Sequence, residues 1–301
     1  MLGADFVATS GVAPTVATSG HTATTLVCAA GTAPVVGQAL LFQTSAGPVI
    51  RFATGVVSQT ATLDRAYTGT PTSGSTIIRG AVIPWSPSVT AHRHLYVKAE
   101  MPDALVEFFG CAPVSWGLSI PNGAKLQSTW TFAPSSVTGP SAPVSPTPTP
   151  ATAGTPIVGI NTELWIGSER FLFDDLAISY ANGNEDRGSP GTPAGRLGGI
   201  AAEKRGAFTI TGSVRNETRS REGVQRATGT ENLTTLLGTA SGTGVLSATR
   251  DVLLVIGRAT GAAMALRMAD ADVQAVIATM GTHKAAQVTM TATTTANLAV
   301  F

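Results

Sequence analysis

The stretch VEFFGCAPVSWGLSIPNGAKLQSTWTF, residues 106–132, decides how this chain is read. Its second half alternates strictly. Leu126, Ser128, Trp130 and Phe132 fall on one face, and Lys125, Gln127, Thr129 and Thr131 on the other. A period of two with one apolar face is the mark of a half-buried strand. Pro121-Asn122-Gly123 before it supplies a tight turn, and WGLSI before that is a second strand. The segment is a β-hairpin, broken upstream around Gly110 and Pro113.

The same signature recurs. LAISYANG (176–183) repeats WGLSIPNG (116–123), and GAFTITGSVRN (206–216) repeats the alternating partner strand after a longer insertion. This weak internal repeat points to a duplicated β unit. AAQVTMTATTT (285–295) alternates again with a Thr-rich outer face. By contrast, Val252–Gly257 is an unbroken apolar run, too short to span a membrane.

These strands divide the chain. Residues 1–20 have no helical period and read as an extended arm. Residues 21–83 form a compact β unit, with runs at Thr25–Ala29, Ala39–Thr44, Val49–Val57, Ala61–Leu63 and Thr76–Ile83 bounded by turn residues; such spacing suits a small barrel or sandwich. Residues 84–134 are a first β half, and 135–156 are a Pro/Ser/Thr linker or loop. Residues 157–301 are a second β half, in which 181–205 read as a long Gly-rich loop and 221–240 as the one short helix, with Leu233, Leu236 and Leu237 near helical spacing. The expected fold class is mostly β, a β-sandwich or barrel, duplicated, with an added small β unit near the N-terminus.

Composition narrows the function. Only 12% of the 301 residues are charged, about half the usual share. Lys+Arg is 19 and Asp+Glu is 18, a net charge of +1. An electrostatic nucleic-acid binder would be basic, and a disordered chain would be more charged and less apolar than 43%. Residues 1–150 carry fewer than half as many charged residues as residues 151–301. Low surface charge suggests surface covered by neighbours, so the N-terminal half is expected to supply much of the contact between subunits.

Little here supports chemistry. GxSxG, GxGxxG in a strand–helix context and GxxxxGK[ST] are absent. His92 and His94 could share one strand face as a metal pair, but no carboxylates stand at useful spacing, and two surface histidines is the better reading. Asp174-Asp175, Glu185-Asp186 and Asp270/Asp272 are placed where turns would put acids. No cofactor or metal site is expected, and no enzyme. Cys28 and Cys111 read as buried free thiols, with one disulfide as the alternative. The N-terminus lacks the features of a signal peptide.

Taken together, residues 106–132, FLFDDLAISYANGNED with KRGAFTITGSVRN, and the closing ALRMADADVQAVIATM with AAQVTMTATTT resemble the major tail tube protein family of long non-contractile-tailed bacteriophages. The resemblance covers residues 84–134 and 157–301 and lies in the pattern of strands and turns. The 21–83 unit is outside the usual family core. The resemblance implies a structural virion protein, made in the host bacterial cytoplasm, that self-assembles into stacked rings. Hexamers are implied, or trimers of duplicated subunits. Genomic DNA would pass through the lumen without specific binding, and tail tip, terminator and tape-measure proteins would be partners, with no membrane. Glu100, Asp103, Glu107, Asp174 and Asp175 are the candidate lumen-facing acids, of which at least one should face the lumen. The alternatives are another virion subunit, such as a capsid decoration or baseplate protein, and a carbohydrate-binding or adhesin module. Scarce aromatics count against the last.

Overall fold

The computed structural model of the chain describes residues 12–31, 33–84, 95–101, 103–121, 125–134, 136–141, 162–171, 173–181, 185–188, 196–201, 207–215, 237, 245–259, 261–280, 283–292 and 296–301. The fold is mostly β, as expected, and is built of antiparallel strands.

Six strands form the small unit: β1 (Thr15–Val16), β2 (Thr25–Ala30), β3 (Ala39–Thr44), β4 (Gly47–Val57), β5 (Thr60–Leu63) and β6 (Ile78–Arg79). They run in the order β1-β2-β5-β4-β3-β6. The two ends meet. Thr15 bridges Thr76, Val16 N–H donates to Ser75 O at 2.9 Å, and Ile77 N–H donates to Pro14 O at 2.8 Å. The sheet thus closes into a barrel, which leaves no free edge. Its interior holds Leu26, Leu40, Phe42, Leu63 and Ile77, with Phe42 and Tyr67 edge to face at 5.2 Å. The expected arm at 1–20 is corrected in its described part, residues 1–11 lying outside the described residues. Residues 14–16 are needed to close the barrel, so the unit begins before residue 21.

The remaining long strands make one large sheet. They are β7 (Ala81–Pro84), β8 (Leu95–Met101), β9 (Ala104–Pro121), β10 (Gln127–Ala133), β11 (Ser136–Ser141), β12 (Thr162–Ile166), β13 (Glu169–Phe171) and β14 (Phe173–Ala181). After the separate hairpin β15 (Glu185–Gly188) and β16 (Arg196–Ala201) come β17 (Ala207–Arg215), β18 (Val245–Ala259), β19 (Ala262–Met280), β20 (His283–Ala292) and β21 (Ala296–Val300). The main path is β10-β9-β14-β17-β20-β19-β18-β12-β13, with β8 and β11 on β9, and β21 between β19 and β7.

Inward-facing side chains of this path form one cluster. Leu118, Ile178, Ile210, Met290 and Val273 stand in successive registers of neighbouring strands, and Leu254 and Leu164 continue the cluster beyond them. The sheet curls around them as a half-barrel. Leu237, the one described residue of the expected helix, is helical and buried in this cluster; the rest of 221–240 lies outside the described residues. Gly212 sits opposite Leu176. A Cβ there would lie 2.2 Å from Asp175 O and 2.6 Å from Leu176 Cδ2, so the close approach of β14 and β17 requires glycine.

Several sequence expectations change. The two β halves are not separate, because β9 pairs directly with β14. Part of the expected linker, 136–141, is strand β11 along β9; its one proline, Pro140, is tolerated because an edge strand can spare an N–H donor. The expected loop at 181–205 contains the β15–β16 hairpin. Asp174-Asp175 and Asp270/Asp272 are within β14 and β19 rather than in turns. The β19 strand runs on through the latter pair because Asp270 and Asp272 are exposed, so no charge is buried.

The barrel is seated on the outer face of the sheet. Ala39, Leu41, Ile50 and Phe52 pack against Val82, Leu253, Val255, Ala263, Ala265 and Ala299. This explains the unbroken apolar run in β18: both of its faces are covered. Each of the larger buried side chains here, Leu41, Ile50, Phe52, Val82, Leu253 and Val255, contributes about 1.5–3 kcal/mol. Charges pin the seam. Asp251 Oδ2 accepts from Arg267 Nη2 at 2.6 Å, and Asp251 also bonds Arg65 of the barrel. Arg65 reaches Asp64 at 3.0 Å. Arg51 and Arg65 both lie over the Trp165 ring, at 5.1 and 5.9 Å from its centroid.

Candidate functional site

The barrel covers only part of the outer face. Beyond it, the outer face of β10-β9-β14-β17-β20, the C-terminal half of β19 and the N-terminal half of β18 is open. Strand pairing sets what this face presents. One row runs Gln127, Ser119, Ala177, Thr211, Thr289, Gln274, Ser247. The next runs Thr129, Gly117, Ser179, Thr209, Thr291, Asp272, Thr249. Every residue of the first row is exposed. Six strand spacings of ~4.8 Å make the face roughly 29 Å wide.

Its chemistry is uniform. Side chains are short, hydroxylated or amide, and Thr209 and Thr291 hydroxyls approach to 3.5 Å. Asp175 and Asp272 are exposed on it. No Lys or Arg is among the described side chains of these rows. Arg215 shares the register at the end of β17, and its side chain lies outside the described residues. Such a wall can hydrogen-bond water and repel or ignore anions.

The face ends in two edges that carry no further strand among the described residues. There, β10 pairs with β9, and Val245–Thr249 of β18 pairs with β19. Seven alternating strands leave both edges running in the same direction.

The five candidate acids do not share a place. Asp175 is on the open face. Asp174 is at the β14 bulge beside it, with its side chain outside the described residues. Glu100 and Asp103 are exposed near the end of the β8–β9 hairpin. Glu107 is on β9 further along, and it is occupied. Tyr96 O–H donates to it, and Lys98 Nζ is 3.2 Å away. These contacts, Tyr96 first, hold its carboxyl below the usual range. In the sequence repeat, position 115 rather than 107 is the equivalent of Asp175. The sequence reading missed Asp272, although its alternation with Val273 and Gln274 would have put it on the Thr face.

The histidine pair at 92 and 94 lies outside the described residues. Among the described residues, no group of three or more His, Cys, Asp or Glu could hold a metal ion, and no helix is long and apolar enough to cross a membrane. Cys28 and Cys111 are free and buried. No family model matches the chain, and no curated protein is similar to it at a significant level.

Proposed function

We propose that this chain is a structural subunit of a bacteriophage tail tube, self-assembling into stacked rings whose lumen passes genomic DNA. The observation that carries the reading is the open face: a broad, exposed sheet surface whose two central rows are Thr, Ser, Ala, Gln, Gly and Asp, with Lys125 only at its β10 margin and Arg215 at the end of β17. DNA passing the middle of such a wall meets no Lys or Arg to hold its phosphates and release counterions.

Assembly follows from the edges. A lone sheet with unpaired edges is prone to pairing with another copy. Here the edges β10 and Val245–Thr249 would join head to tail, in parallel, and a heterologous contact of this kind closes into a ring when the rotation permits. The internal repeat favours one chain per ring position over a trimer of duplicated subunits. Its two copies point in opposite directions across the sheet, whereas successive positions of a rotational ring point the same way.

Negative-stain electron microscopy of the purified protein tests the reading. Rings or stacked tubes with a central channel are expected. Monomers or irregular aggregates at all concentrations overturn it.

A further inference from the structure

The small barrel distributes its charge unevenly. Residues 12–84 include four charged residues, Arg51, Asp64, Arg65 and Arg79, less than half of what the chain-wide 12% would place there. Three of them are at the seam with the large sheet. Arg51 and Arg65 are 4% and 6% exposed, and the Asp64 side chain is fully covered. Arg79 is half-buried. Every exposed described residue of the barrel is therefore uncharged. Thr54, Val57, Gln59 and Thr62 line the β4–β5 hairpin, and Val35 and Val36 precede β3. Val57 is 77% and Val36 61% exposed.

Soluble domains ordinarily keep copies apart with mixed surface charge. This surface has none, so it offers no repulsion to another neutral surface. It is also poorly matched to other partners. A phosphate-bearing or acidic partner would need Lys or Arg. A sugar platform would need an exposed ring, and Phe42, Phe52 and Tyr67 are all buried. Charge complementarity leaves a neutral protein surface, and a second copy supplies one of the same composition.

We propose that the charge-free outer surface of the barrel is a self-association surface, contacted by a second copy of this chain. This goes beyond the tube reading, because it uses a surface distinct from the open face and its edges.

The test uses the full chain and its variants Val57→Glu/Thr62→Glu and, separately, Val36→Glu, each checked for an unchanged melting transition. Sedimentation velocity over a wide concentration range reads association, and microscopy reads its form. The wild type should associate, and added salt should not weaken it, since no charges meet. At least one folded variant should shift the concentration for half-association tenfold or more. Rings that form equally well from every folded variant overturn the proposal and leave the tube reading standing. Barrel-dependent oligomers without rings support the proposal and overturn the tube reading. A wild type that stays monomeric overturns both, as does a monomer that instead retains a neutral glycan.

Discussion

Leu118 of β9 and Ile178 of β14 face each other across an antiparallel ladder, and they are also equivalent positions in the sequence repeat. The pairing obeys the repeat on both sides: Trp116 faces Tyr180, and Ile120 faces Leu176. A local two-fold axis normal to the sheet therefore passes between Leu118 and Ile178, with β10 and β17 as its outer strands. The duplication seen in sequence becomes a symmetric four-stranded block.

Both central residues are buried, at 5% and 1% exposure. Leu118→Ala and Ile178→Ala should each cost about 2–5 kcal/mol, from lost transfer energy and the cavity left behind. Urea denaturation measures this. A cost under about 1 kcal/mol for Ile178→Ala would mean that the block is not a tightly packed core.

The seam between barrel and sheet should depend on Asp251. Asp251→Ala removes the carboxylate closest to both Arg65 and Arg267 and leaves them Asp64 alone, at 3.0 and 4.0 Å. Breaking a buried pair in this way costs about 3–5 kcal/mol, reduced here because the Asp251 side chain is 27% exposed. Thermal unfolding should show the barrel melting earlier than the sheet. A single unshifted transition would refute the role.

Glu163 makes the same region acid-sensitive. Burial pushes its carboxyl up, but Arg170, Arg258, the Trp165 N–H and Arg51 outweigh this and hold it below the ordinary carboxylate range. A depressed folded value means stability that is present above the unfolded pKa and lost as pH falls through the folded one. The wild type should lose stability below about pH 4.5. Glu163→Gln should be less stable at neutral pH and flatten this acid limb. An identical limb in the variant would assign the effect elsewhere.

Burial raises the Cys28 thiol to about 11, so little thiolate exists near neutrality. Iodoacetamide at pH 8 should leave Cys28 unmodified in the native protein and label it after unfolding, as read by peptide mass spectrometry. Rapid native labelling would contradict the closed barrel interior.

Neighbouring Thr211 and Thr289 on the open face offer a direct test of its indifference to DNA. The wild type should not retard duplex DNA at low salt. Thr211→Lys/Thr289→Lys should gain weak binding that disappears with added salt. Retardation by the wild type would argue that this face retains DNA.

Whereas the turn read at Asn122-Gly123 lies outside the described residues, alternation in residues 125–132 and 285–292 and the punctuated runs of 21–83 placed most of the strands. These are local properties, fixed by the period of a strand and the conformational limits of turn residues. The apolar run in β18 was legible only as a run too short to span a membrane, not as a strand covered on both sides. Sequence alone did not reveal what covers it. That the barrel sits there, that residues 14–16 close it, and that β9 joins β14 in one sheet all depend on contacts between distant residues, such as Arg65 with Asp251. The open face is of the same kind. Each strand declared its own Thr-rich side, but only long-range pairing assembled those sides into one surface whose central rows hold no Lys or Arg, and left the candidate acids at Glu100, Asp103 and Glu107 outside it.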